Sequence, residues 1–266
     1  MTRNLLITVG LICGALSAPA AFGDTFKTFT NVGPGTTGLV TISNDGGATT
    51  VSGYAGAYAG HLGSQDINDF CVDLNHDIPF GTSYTADVSH NISDSSGSLT
   101  GSYYSGGLSS AMDSGYIPNY GGGFTSQQRA DQVAYLIHTY GNINSENFGN
   151  SFDLNTNLAA VNLAIWDIEN DGGDGISVGK VVGDAGTQTT YGSLVSNLEA
   201  EASAFKDSQF LDVKWIQAPV VTENGSGFQS FGYLAPVPEA GTMTIFGILL
   251  AGGAFRLRSA KKKQTA

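Results

Sequence analysis

Thr156-Asn157-Leu158-Ala159-Ala160-Val161-Asn162-Leu163-Ala164-Ile165-Trp166-Asp167-Ile168-Glu169 reads as one helix, because Leu158, Val161, Ile165 and Ile168 recur at spacings of three and four. Trp166 stands beside Ile165 and is expected in the core. On the N-terminal side, Ala130, Val133, Ala134 and Ile137 predict a helix near 125–140, opened by the capping box Thr125/Gln128 and stopped at Gly141. On the C-terminal side, Leu194, Leu198, Ala202 and Phe205 predict a third near 193–205.

Farther out the period changes to two. Phe26-Lys27-Thr28-Phe29-Thr30 and Leu39-Val40-Thr41-Ile42-Ser43 alternate, as do the residues of 67–74 and 84–89, with Gly, Asn, Asp and Pro between them. Leu211, Val213 and Trp215 alternate again, and Asn224-Gly225 reads as a hairpin turn before 228–234. Between 94 and 123, Gly and Ser fill 16 of 30 positions, which predicts a long irregular loop. The order strands, helices, strands predicts a mainly β fold: an antiparallel β-sandwich or barrel with a two- to three-helix insertion.

The chain has 266 residues, of which 37 are Gly and only 13% are charged, about half the ~25% usual in soluble domains. A hydrophobic share of 41% is enough to build a core. The net charge of −12 excludes a nucleic-acid binder resting on a basic surface. Arg3, an apolar run over 5–16 and small residues at Ala21 and Gly23 have the order of a secretory signal peptide over 1–23, with cleavage before Asp24. Cys13 follows Ile12, where a lipoprotein site needs a small residue, so no lipid anchor is expected there.

At the other end, Val237, Pro238, Glu239 and Ala240 lead into an apolar run over 243–255 and a basic stop of Arg256, Arg258, Lys261, Lys262 and Lys263. Thirteen helical residues span about 20 Å, short of the ~30 Å hydrocarbon core unless the helix starts at Ala240 and the Arg side chains snorkel. The basic cluster is expected to stay cytoplasmic. This tripartite tail resembles the PEP-CTERM sorting signal of Gram-negative bacteria, with Ala240 in place of the second proline. The resemblance implies processing by an exosortase, a membrane protease-transpeptidase, and transient residence in the inner membrane. It also implies an exopolysaccharide-producing host. The expected division is therefore a signal peptide over 1–23, an exported domain over 24–234 and a sorting signal over 235–266. Residues 24–238 hold 5 basic against 22 acidic side chains, a formal charge of −17.

Cys71 is the one cysteine outside the signal peptide, so no intrachain disulfide is expected. Alternation in Phe70-Cys71-Val72 sets it facing away from both neighbours. With 134–137 and 159–168, this segment resembles thioester-domain-like surface proteins, in which Cys and the Gln of a Gln-x-Ala-x-Trp motif join covalently. Ala164 and Trp166 match that motif, while the Gln position holds Asn162. Asn is one methylene shorter, a withdrawal of about an ångström that costs near-attack chemistry ~100-fold. No thioester is therefore expected, Cys71 is read as a small buried hydrophobe, and the Asn162 amide is expected to hydrogen-bond to a strand.

Other chemistry is thin. Asp167, Glu169 and Asp171 are spaced like the first ligands of a calcium loop, with Gly172 sixth, yet Val178 occupies the position of the bidentate Glu. That leaves Asp171 and Asp174 as weak calcium candidates and predicts neither a structural metal nor a cofactor. His61, His76, His90 and His138 show no ligand spacing, and no nucleophile elbow or dinucleotide fingerprint is present. Asp73, His76 and Asp77 beside Cys71 make a Cys-His dyad the sharpest enzymatic alternative. The expected function is non-enzymatic: an exported envelope or exopolysaccharide-matrix protein with a structural or adhesive role. The alternatives are a covalent adhesin with a thioester at Cys71 and, behind it, a secreted hydrolase.

Overall fold

The computed structural model describes residues 25–44, 49–72, 79–89, 126–143, 147–206, 210, 212–217 and 231–235. These form seven strands: β1 (Thr25–Asn44), β2 (Thr49–Leu62), β3 (Gln65–Cys71), β4 (Ser83–Ser89), β5 (Val182–Gly183), β6 (Val213–Gln217) and β7 (Phe231–Leu234). Three α-helices lie between β4 and β6: α1 (Ser126–Tyr140), α2 (Leu154–Asp171) and α3 (Ala185–Ala202), the last followed by a 3-10 turn over Ser203–Phe205.

The sheet runs β2-β3-β7-β6-β4-β1-β5, antiparallel throughout, and β1 also pairs with β2. It is curled into a half-barrel. β1 is long enough to pair with three strands: Thr25 to Thr30 meet β4, Phe29 to Asn44 meet β2, and Ile42 and Ser43 also meet β5. Bulges at Asn31/Gly33 and Gly33/Thr36 bend β1 between its two ends.

Pairing across the ladder fixes which side chains share a face. Phe29, Tyr84, Tyr58 and Phe231 line the inside of the curl, with ring centroids 5.3 Å (Phe29–Tyr84), 5.0 Å (Phe29–Phe231) and 6.1 Å (Tyr58–Phe231) apart. Phe70, Gly232 and Trp215 line up across the other face, under α1. A Cβ on Gly232 would fall 2.5 Å from Ile137 Cδ1 and 2.9 Å from the Trp215 ring, so glycine there lets helix and strand touch.

The expectation of a mainly β chain is corrected: strand and helix contents are about equal. The helices form a full layer against the sheet. α2 is buried on every side from Asn157 to Asn170, as a helix wedged between a sheet and two other helices must be. It starts at Leu154 because the Asp153 carboxylate accepts the Thr156 N–H at 3.0 Å, and ends at Gly172, whose left-handed φ of 94° closes the last turn. α3 begins eight residues before the expected 193, because Asp184 caps it through the Thr187 N–H and because Thr187, Tyr191, Val195 and Leu198 make a buried stripe. Trp166 is in the core, as expected. No helix among the described residues is long and apolar enough to cross a membrane. The run 243–255, the loop 94–123 and the 1–23 segment lie outside the described residues.

Candidate functional site

The two positions that the thioester-domain resemblance pairs do meet. Cys71 ends β3, Asn162 sits mid-way along α2, and both are wholly buried. Asn162 Nδ2–H donates to the Cys71 carbonyl at 2.8 Å, and Asn162 Oδ1 accepts the Gly56 N–H at 3.0 Å. The β2–β3 ladder runs from Leu62↔Gln65 to Ala57↔Phe70, so Gly56 and Cys71 would form its next pair. The carboxamide takes that place.

A primary amide is suited to this because it carries one acceptor and a donor pair, the complement of a peptide unit. Gly56 makes room: its φ is +137°, a region that L side chains rarely adopt, and a Cβ there would lie 2.6 Å from the Thr36 carbonyl. Helix and sheet are thereby joined through a buried main-chain donor and a buried main-chain acceptor. Expelling ammonia from Asn162 to form a thioester would delete the donor that holds the Cys71 carbonyl. The register sets the Cys71 side chain on the inner face, with Phe231 opposite it.

Asp69, two residues earlier on the same face, was not singled out by sequence reasoning. It is wholly buried, lies opposite Tyr58 and Tyr233, and neither carboxyl oxygen has a hydrogen-bond partner among the described residues. A Cβ on Gly60 would come within 2.5 Å of Asp69 Oδ2 and 2.8 Å of Phe29 Cε2, which places the carboxyl against an aromatic ring. Burial holds its pKa well above the ordinary carboxylate value, and it pushes the Tyr233 phenol up to about 12. The signal was present in the alternation: Asp69 shares its parity with Ile67 and Cys71.

The remaining candidates do not gather. His61 Nδ1 meets Asp66 Oδ1 at 2.7 Å across the β2–β3 hairpin, and His138 Nδ1 meets Asp212 Oδ2 at 2.8 Å, both at the surface. Among the described residues no group of three or more His, Cys, Asp or Glu side chains could hold a metal ion. In the calcium-like stretch, Asp167 is buried and its Oδ2 accepts the Gly175 N–H at 2.8 Å, closing the loop after α2. Asp174 is exposed with its pKa raised by partial desolvation, and the side chain of Asp171 lies outside the described residues. Asp73, His76, Asp77 and His90 also lie outside them, as do Val237, Pro238, Glu239, Ala240 and the basic residues of 256–263.

A second group missed in the sequence ties α1 to α3. The Tyr135 and Tyr140 hydroxyls both donate to the Glu201 carboxylate, the latter at 3.1 Å, and Tyr135 stacks on Phe205 at 3.9 Å. Desolvation and then the bond to Glu201 push the Tyr135 phenol up to about 12. Compared with protein-family models, with curated proteins and with solved structures, the chain finds no match.

Proposed function

We propose that this chain is a non-enzymatic exported protein of the envelope or exopolysaccharide matrix, sorted by an exosortase-type system and serving a structural or adhesive role. The observation that carries this reading is the tail: a Val237-Pro238-Glu239-Ala240 motif, an apolar run and five basic residues within the last 30 positions, facing a signal-peptide-like segment at the other end. Supporting it, Cys71 and Asn162 sit at a packing seam, where the amide serves the main chain. The test is expression of the full chain with and without an exosortase, followed by fractionation and intact mass. A surface or released form lacking the tail is expected only with the exosortase. Retention of the intact tail in the inner membrane under both conditions would overturn the sorting assignment.

One observation favours a second reading, the covalent adhesin. The carboxamide of Asn162 rests on the main-chain carbonyl of Cys71, so the two residues are already adjacent, with the thiol on the inner face of the sheet. Thiolate attack on the carboxamide carbon would form the C–S bond and release ammonia. A native mass one ammonia below the sequence value, reversed by methylamine with the adduct at residue 162, would establish it. An unchanged mass supports the structural role.

A further inference from the structure

Beyond its bulges, the β1–β2 hairpin turns one face to α2 and α3 and the other to solvent. On the solvent face Leu39 pairs with Tyr54 and Thr41 with Ser52, and the hydroxyls of the second pair are 2.9 Å apart. Leu39 is 69% exposed and Tyr54 47%, and Phe80, 49% exposed, joins them with its ring centroid 6.5 Å from that of Tyr54 at an interplanar angle of 48°.

Both rings are held by main chain. Tyr54 stands on a strand, and Phe80 stands in a turn closed by Thr82 N–H to the Pro79 carbonyl at 3.1 Å. The turn is pinned to β1 by Gly81 N–H to the Asn31 carbonyl at 2.7 Å. Gly81 has φ of 82°, as the third residue of a type II turn requires. An exposed aromatic pair fixed in this way gives up little conformational entropy on binding.

The electrostatics narrow the occupant. Between Thr28 and Gly60 the sequence holds one charged residue, Asp45, in a chain with 23 acidic side chains. Over this stretch of sequence a cationic partner finds one acid, Asp45, and a polyanion finds no cation to attract it. What remains is a pair of exposed aromatic rings, tilted by 48° to one another, on a face that also carries the Thr41 and Ser52 hydroxyls. A neutral sugar ring has that same dual character: the C–H groups on its face pack on an aromatic ring while its edge hydroxyls bond to Ser and Thr.

We infer that the outer face of the β1–β2 hairpin, with Tyr54 and Phe80 as its platform and Thr41 and Ser52 at its edge, binds an uncharged polysaccharide. The inference deepens the matrix reading above, on which its biological setting rests.

Native affinity electrophoresis of the full chain in mild detergent tests it, with dextran, soluble starch or hydroxyethyl cellulose in the gel and alginate as the acidic control. At least one neutral polymer should retard the protein. Tyr54→Ala and Phe80→Ala should each weaken that binding at least tenfold with an unchanged circular-dichroism spectrum, and alginate should retard none of them. Three results overturn the inference: no retardation by any neutral polymer, retardation that survives both substitutions, or substitutions that turn a dimer into a monomer in sedimentation while leaving retardation as it was. The last would assign the face to a second copy of this chain. Correct sorting without polymer binding would sink this inference and leave the matrix reading intact, whereas polymer binding by a protein never exported would do the reverse.

Discussion

Asn162, which reaches β3, and Asp69, which stands in it, are both polar and both wholly buried, yet Asn162 has a partner for its donor and its acceptor while neither oxygen of Asp69 has one among the described residues. The seam between α2 and the sheet is therefore specified by polarity as well as by shape: only a group with the complement of a peptide bridges Gly56 and Cys71. The inside of the curl is an aromatic space into which a carboxyl intrudes, and the cost falls on its ionised form. A buried polar residue thus reports stability in one region and a stored penalty in the other.

Removing Trp166 should break the seam most severely. Trp166→Ala is expected to cost about 3–5 kcal/mol in urea unfolding, through lost burial and the cavity left behind. A loss under ~1 kcal/mol would show that α2 is held by other contacts.

Asn162→Leu keeps the branched outline of the side chain with some added bulk and deletes both hydrogen bonds, to the Gly56 N–H and to the Cys71 carbonyl. A destabilisation of about 2–4 kcal/mol follows from the loss of two buried hydrogen bonds to the main chain. Equal stability of variant and parent would mean that water satisfies those groups and that the contrast with Asp69 is false.

Asp69→Leu should act in the opposite direction, because the carboxyl has no partner among the described residues to lose. The folded-state pKa lies above the ordinary 3.8, so between 3.8 and that raised value the native state binds more protons than the unfolded state, and wild-type stability falls as pH rises. The variant should therefore exceed the parent at pH 7 by about 1–3 kcal/mol, with the gap shrinking towards pH 3. A gap independent of pH would show that Asp69 is not protonated in the fold.

Tyr135→Phe should have the smallest effect, ~1 kcal/mol from one hydrogen bond, since Tyr140 still holds Glu201. Ultraviolet titration checks the cause: the variant should lose one phenol ionising at about 12, not one near 10.

Much of this architecture is legible locally. The caps and stripe of α2, the alternation in β1 and the burial of Trp166 all follow from side chains a few residues apart. α3 was harder, because Gly186, Gly192 and the threonines from Thr187 to Thr190 lower helix propensity; Asp184 as a cap and the packing of Tyr191 outweigh it. Asp69 shows why parity alone is insufficient. Alternation marks its face, but whether that face is solvent or an aromatic interior depends on how the sheet curls.

By itself, then, the sequence determined the class of the three helices and of the alternating strands, though not of β2 or β5, and the acidic balance of the chain, since these rest on composition and short spacings; the two terminal signals and the pairing of Cys71 with Asn162 are what the resemblances imply. Only the tertiary structure decided that β7 enters between β3 and β6, that the Asn162 amide completes a ladder 91 residues away from it in sequence, and that Tyr54 and Phe80 share an exposed face. Such contacts join groups distant along the chain, and their partners are set by sheet curvature and helix packing, which no local period encodes.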